Sequence, residues 1–207
     1  MAVTRSSAPP PLPQLHRRTL LAQLLVVSEA GRVLLVHHCS GPFAGFKTGL
    51  IEEAVAGESA VSAAARAGLG LETISSPALR GIAVFHEEPK DDDIVEEHEF
   101  VCRAAESTEA AMVAALHARG ITSAWYAVDG GVPFDQMPAD DAIWYPPVLV
   151  DRRYVRAEFT FSGAVLTRSS MWVAEDPGAD GRTAASALEP NGLVTPGPWR
   201  RGGSWGS

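Results

Sequence analysis

Residues 137–146 read Met-Pro-Ala-Asp-Asp-Ala-Ile-Trp-Tyr-Pro. Two acidic residues ahead of an apolar run mark the start of a short helix, because a helix N-terminus favours negative charge. A spacing of three or four residues brings Trp144 onto the same face as Asp141 or Asp140. A carboxyl group beside a flat aromatic wall is a way to hold a heteroaromatic base. The ring supplies stacking area, and the carboxyls exchange hydrogen bonds with the base edge. The same residues also suit a plain helix cap followed by a core tryptophan. The stretch by itself leaves both readings open.

Outward from it, the chain alternates strand and helix patterns. On the C-terminal side, 154–160 and 164–173 bracket Ser162-Gly163 as a closing hairpin. On the N-terminal side, Ser123–Val128 is a strand and the alanine-rich 107–120 a helix. Leu79–Phe85 and Phe100–Ala104 are further strands. Between them, eight acids crowd into Glu87, Glu88, Asp91, Asp92, Asp93, Glu96, Glu97 and Glu99. They read as a solvated loop, or as a hard-cation site for Mg²⁺ or Ca²⁺, though without the Asp-x-Asp-x-Asp-Gly order of a calcium loop. Ser59 or Ser62 caps a helix reaching Ala67, which the glycines at 68 and 70 end. Residues 39–49 form a loop. Thr19–Ser28 and Arg32–His38, joined by Glu29-Ala30-Gly31, form a β-hairpin. His37, His38 and Cys39 are consecutive, which is poor ligand geometry because neighbouring strand residues point to opposite faces. One of these histidines is a candidate pocket residue.

The expected domain spans 18–174, a mixed α/β unit with mostly antiparallel strands. Residues 1–15 are rich in Pro and Ser, and 175–207 in Gly, Pro and Ser, so both are expected to be disordered tails. A chain of 207 residues, 46% apolar and 20% charged, fits one globular domain plus tails. The net charge of −8 argues against a nucleic-acid polymer or an anionic membrane surface as partner. Two cysteines are too few for a disulfide scaffold or a zinc site, so a reducing, cytoplasmic compartment is expected. The acid-free N-terminus with Arg5, Arg17 and Arg18 also leaves organellar import open. No apolar run approaches the roughly 18 residues that span a bilayer.

Several stretches together resemble the Nudix superfamily. They are RVLLVHH at 32–38, the Gly-Pro-Phe-Ala-Gly loop at 41–45, Gly57-Glu58 before a helix, the Trp125-Tyr126 strand, VPFDQMPADDAIWYPPVLV at 132–150, and YVRAEFTFSG at 154–163. The similarity covers residues 19–174 and is closest to the MutT-homologue branch, the oxidised-purine nucleoside triphosphate hydrolases. It implies an α/β/α sandwich with a mixed, mostly antiparallel sheet. It also implies Mg²⁺-dependent hydrolysis of 8-oxo-dGTP-like triphosphates to monophosphate and pyrophosphate. The expected partner is a small purine nucleotide, and the expected state a monomer.

The family motif, Gly-x5-Glu-x7-Arg-Glu-U-x-Glu-Glu-x-Gly-U with U aliphatic, places glutamates one turn apart on a helix face to hold divalent ions. By this resemblance Glu58 is the first glutamate and a metal ligand, and Arg66 the arginine. The leading glycine is Glu52, the glutamate after the arginine is Ala67, and the Glu-Glu pair falls on Gly70-Leu71. No carboxylate lies between Ser59 and Leu71, so Glu52 and Glu53 are the nearest candidate supplements to the metal set. The base pocket is better kept. Asp140 and Asp141 match the aspartates aimed at the purine edge, and Trp144 the aromatic after them. Thr48 takes the place of the pocket asparagine, His38 that of the pocket lysine, and Pro138 that of the stacking tryptophan. The resemblance thus implies a diphosphatase whose hydrolysis is weak or lost, or an inactive purine-nucleotide-binding relative.

Overall fold

A computed structural model describes residues 17–71, 74–89, 93–174 and 200–201. The strands are β1 (Arg17–Ser28), β2 (Arg32–His37), β3 (Lys47–Thr48), β4 (Leu50–Glu53), β5 (Ala78–Glu87), β6 (Asp93–Ala104), β7 (Thr122–Ala127), β8 (Tyr154–Ser162), β9 (Val165–Ala174) and β10 (Arg200–Arg201). The helices are α1 (Ala60–Ala67), α2 (Glu109–Ala118) and α3 (Asp141–Leu149), with single 3₁₀ turns at 106–108 and 134–136. The architecture is the expected mixed α/β sheet with helices on both faces. The two predicted tails fall outside the described residues, apart from the short β10.

β1 is the spine. It runs parallel to β6 along its whole length, from Arg17↔Asp93 to Ser28↔Ala104. On its other side it pairs antiparallel with β4 through its first half and with β2 through its second. The sheet runs β10-β9-β8-β5-β6-β1-β2-β3, with β7 also on β2. The predicted first hairpin is present, but its ladder is short because β4 takes the first half of β1.

Period-two alternation along β1 splits the core. Ala22, Leu24 and Val26 face α1 and α2, packing with Ala60, Ala63, Ala64, Ala67, Met112 and Leu116. Leu25 and Val27 face α3, packing with Trp144, Tyr145, Val148, Val155 and Phe159. The buried face of α1 is all alanine, so its backbone lies close to β1. Its start is fixed as expected: the Ser59 hydroxyl accepts from the Ser62 amide at 3.3 Å. α3 holds its helix despite Pro146 and Pro147, each of which removes an amide donor. Four large buried side chains, Trp144, Tyr145, Val148 and Leu149, compensate; each contributes about 1.5–3 kcal/mol on burial.

One sequence expectation is corrected here. The acids between 87 and 99 are not all in a solvated loop. β6 already begins at Asp93, and Glu97 and Glu99 sit inside it, fully buried. Their i, i+2 spacing aims both at the α3 face, with Glu97 beside Leu21 and Glu99 beside Gln23 of β1.

Candidate functional site

The candidate site residues fall into two separate polar groups, one on each face of the sheet.

The first lies between the sheet and α3. Asp140 and Asp141 open the helix as predicted, and Asp140 holds the N-cap position, but its side chain makes no capping bond. Its Oδ2 instead accepts from the Trp144 indole Nε1 at 3.2 Å, the i, i+4 contact that the spacing predicts. Trp144 is itself buried in the core against Tyr145, ring centroids 4.3 Å apart, so what it offers the site is its N–H edge. Facing the aspartates from β6 are Glu97 and Glu99. The four carboxyl residues are 1–4% exposed. Gln23 bridges them to the helix: its Nε2 donates to Glu97 Oε1 at 2.9 Å, and its Oε1 accepts from the Tyr145 hydroxyl at 2.7 Å. The Gly49 amide donates to the Tyr145 oxygen at 3.2 Å. A Cβ on Gly49 would come within 2.7 Å of Leu25 Cδ2 and 2.9 Å of the Leu24 carbonyl oxygen, so only glycine fits this junction. Beside Gly49, the Thr48 hydroxyl meets His38 Nε2 at 2.7 Å, which brings these two predicted pocket residues together. Phe43 of the 39–46 loop lies 5.7 Å from the His38 ring.

The electrostatics of this group are dominated by burial. Desolvation raises Glu97 to about 7, against the Gln23 hydrogen bond that lowers it, and Asp140 to about 6. Glu99 and Asp141 are raised well above the ordinary carboxyl range, first by desolvation and then by repulsion from the other acids. Neither oxygen of Glu99, nor Oδ2 of Asp141, meets a hydrogen-bond partner among the described residues. Gln23 and Tyr145 were not singled out from the sequence, and Glu97 and Glu99 only as members of the acidic run between 87 and 99. The available signal was the Glu97/Glu99 alternation running on into the apolar Phe100–Ala104 strand.

The second group is on the α1 face. Arg66 donates to Glu52 Oε2 at 2.5 Å, to Glu58 Oε2 at 3.0 Å and to the Glu53 carbonyl oxygen at 2.8 Å. Glu58 Oε2 also accepts from the Val55 amide at 2.9 Å. Glu58 is held below the usual carboxylate range by Arg66 first and by that amide second. The structure therefore brings Glu52, Glu58 and Arg66 together as a guanidinium clamp. The Glu53 side chain is not in it.

This set does not fit a Mg²⁺ centre. Mg²⁺ needs several oxygens in near-octahedral array, and here one cation already takes the two carboxylates and the nearby carbonyl. Nor do the other acids fill the gap. Glu96 pairs with Arg18 and with His98 Nε2, and Glu88 lies 3.7 Å from Arg168. Burial pushes His98 down to about 4, so at pH 7 it meets Glu96 as a neutral imidazole. Among the described residues, no three His, Cys, Asp or Glu side chains are grouped to hold a metal ion. No helix among them is long and apolar enough to cross a membrane.

No family model matches the chain, and no curated protein matches it. Solved structures do. The mutator MutT protein of Bacillus halodurans superposes with a TM-score of 0.52 at 20% identity, over 74% of this chain and 97% of that one. A NUDIX hydrolase from Nitrosomonas europaea gives 0.38 at 14% identity, covering 58% and 63% of the two chains. A bifunctional NMN adenylyltransferase/ADP-ribose pyrophosphatase from Francisella tularensis, solved with AMP and a manganese ion, gives 0.41 at 15% identity, covering 66% and 42%. At those scores the last two add no weight. The first shows that the chain has the fold of the MutT protein, a mixed sheet between helical layers.

Proposed function

We propose that this protein binds a purine nucleotide by its base, through Asp140 and Asp141, and hydrolyses it weakly or not at all. The observation that carries this is the contrast between the two faces. On the α3 face, buried carboxyls with raised proton affinity supply both donors and acceptors, which a base edge needs. On the α1 face, where the resemblance implies metal and diphosphate chemistry, the helix is alanine-rich and Arg66 holds Glu52 and Glu58. Phosphoryl chemistry depends on charge stabilisation at the transferring group, and a clamp already neutralised by arginine offers little of it. When bound in a complete set, Mg²⁺ would neutralise the diphosphate and activate water. In this chain Arg66 takes up the carboxylates that would hold it. His38 and Thr48 extend the base site towards the 39–46 loop.

The MutT-like fold favours the second reading, a working diphosphatase of oxidised purine triphosphates whose ligands come from outside α1. One pair of measurements separates the two. Calorimetric titration with 8-oxo-dGTP and dGTP, with and without Mg²⁺, is expected to show binding that does not depend on the metal. Pyrophosphate release at high protein concentration is expected to be no faster than in Glu58→Gln. Metal-dependent release well above that variant rejects the binding-protein reading in favour of the enzyme. No binding of either nucleotide rejects both.

A further inference from the structure

The α3-face cluster holds more acid than recognition of a neutral purine edge needs. Two aspartates suffice to exchange hydrogen bonds with such an edge, yet the buried Glu97 and Glu99 of β6 lie near enough for Glu97 to raise Glu99 and for both to feel the aspartates. Three oxygens, both of Glu99 and Oδ2 of Asp141, are buried and meet no hydrogen-bond partner among the described residues. A buried carboxyl left in that state is costly unless a donor arrives. Nor does the protein supply the counter-charge. Among the described residues no lysine or arginine forms an ion pair with any of the four, and their contacts are with Gln23, Trp144 and one another's fields.

Missing donors and missing positive charge point to one kind of ligand. We propose that the cluster of Glu97, Glu99, Asp140 and Asp141 selects a purine nucleotide whose base carries a delocalised positive charge, such as a ring-alkylated purine, over its neutral counterparts. This rests on the base-binding reading above and adds Glu97 and Glu99 as the residues that set specificity. A cationic purine keeps its N1 and amino N–H donors, and its charge turns their hydrogen bonds to the orphaned oxygens into charge-assisted ones, the stronger kind. Its charge also favours the ionised form of carboxyls whose proton affinity burial and mutual repulsion raise. A neutral oxidised purine finds donors and acceptors at the two aspartates but leaves the β6 pair uncompensated.

The test is equilibrium binding by calorimetry, without Mg²⁺ so that nothing is turned over. The probes are 7-methyl-GTP, which bears the cation on its ring, with GTP and 8-oxo-dGTP as neutral comparators. The wild-type protein is expected to bind 7-methyl-GTP at least tenfold more tightly than either neutral nucleotide. Glu99→Gln, which keeps the shape but cannot ionise, is expected to erase most of that ratio by weakening the cationic ligand alone, and Glu97→Gln is an independent second variant. Equal or weaker binding of 7-methyl-GTP by the wild type overturns the charge selection but leaves base binding standing. An unchanged ratio in both variants overturns the role of the β6 glutamates. Failure of all three nucleotides to bind overturns base binding and this inference together.

Discussion

Tyr145 shows how one side chain ties the sheet to the helix. Its hydroxyl donates to Gln23 Oε1 and accepts the Gly49 amide, so it links α3 to β1 and to the junction between β3 and β4. Tyr145→Phe is expected to cost about 1–2 kcal/mol by denaturant unfolding, since it leaves a buried amide and a buried amide oxygen each short of one partner. An unchanged unfolding midpoint would mean that neither bond contributes. At the other end of the same network, Asp140→Asn is expected to weaken purine nucleotide binding by about 1–3 kcal/mol if its carboxyl bonds the base. Wild-type affinity in both Asp140→Asn and Asp141→Asn would remove these residues from the pocket. Arg66 is the opposite case, a side chain defined by what it occupies. Its two carboxylate partners and one carbonyl oxygen make Glu52 and Glu58 parts of a clamp.

Among the elements, β5 and β8 are paired in parallel from Gly81↔Val155 to Glu87↔Phe161, and their approach depends on one glycine. A Cβ at Gly81 would lie 2.7 Å from Val155 Cγ2 and 3.1 Å from Glu99 Cγ. Gly81→Ala therefore forces the strand away from Val155 and from the glutamate at the heart of the site. About 1–3 kcal/mol of destabilisation is expected, read as a lower thermal midpoint. Retention of the wild-type midpoint would show that the two strands can separate at no cost. α1 is the weakest helix by composition of its contacts, since alanine buries little area. Its cap matters in proportion: Ser59→Ala is expected to cost about 1 kcal/mol, measured the same way, and no loss would mean that the Ser62 amide finds water instead.

At the scale of the whole molecule, the buried acids set an unusual pH dependence. Glu97 rises from 4.5 to about 7 and Asp140 from 3.8 to about 6 on folding, so the folded chain binds more protons than the unfolded one in that range. Stability therefore falls as pH rises through the folded values, and this contribution is fully present only below the unfolded ones. His98 works the other way, being lowered from 6.5 to about 4, and its contribution is lost as pH falls below 6.5. Between pH 6.5 and 8 the acids act without that opposition. The thermal midpoint is expected to drop over this interval in the wild type and to drop less in Glu97→Gln. A flat profile, or one that rises with pH, would show that the cluster is solvated or paired in solution.

The amino-acid sequence by itself determined the elements and their faces. Ser59 before an alanine stripe, Gly68 after it, the Gly163 turn and the Asp140-to-Trp144 spacing are local rules, obeyed by the few residues around them. It also determined the poverty of α1 in carboxylates, which is plain from composition. Only the tertiary structure decided what the acids do. Glu97 and Glu99 are acids like the rest of the run they stand in, and their alternation into Phe100 does not say that β6 continues back to Asp93 alongside β1. Burial is a property of the strand beside them and of the helix that covers them, not of the run of charges they belong to. Arg66 likewise reads as a relic of a metal-binding helix until β4 brings Glu52 beside it. Both outcomes come from pairings across tens of residues, where the free energy of a charge is set by its surroundings in space.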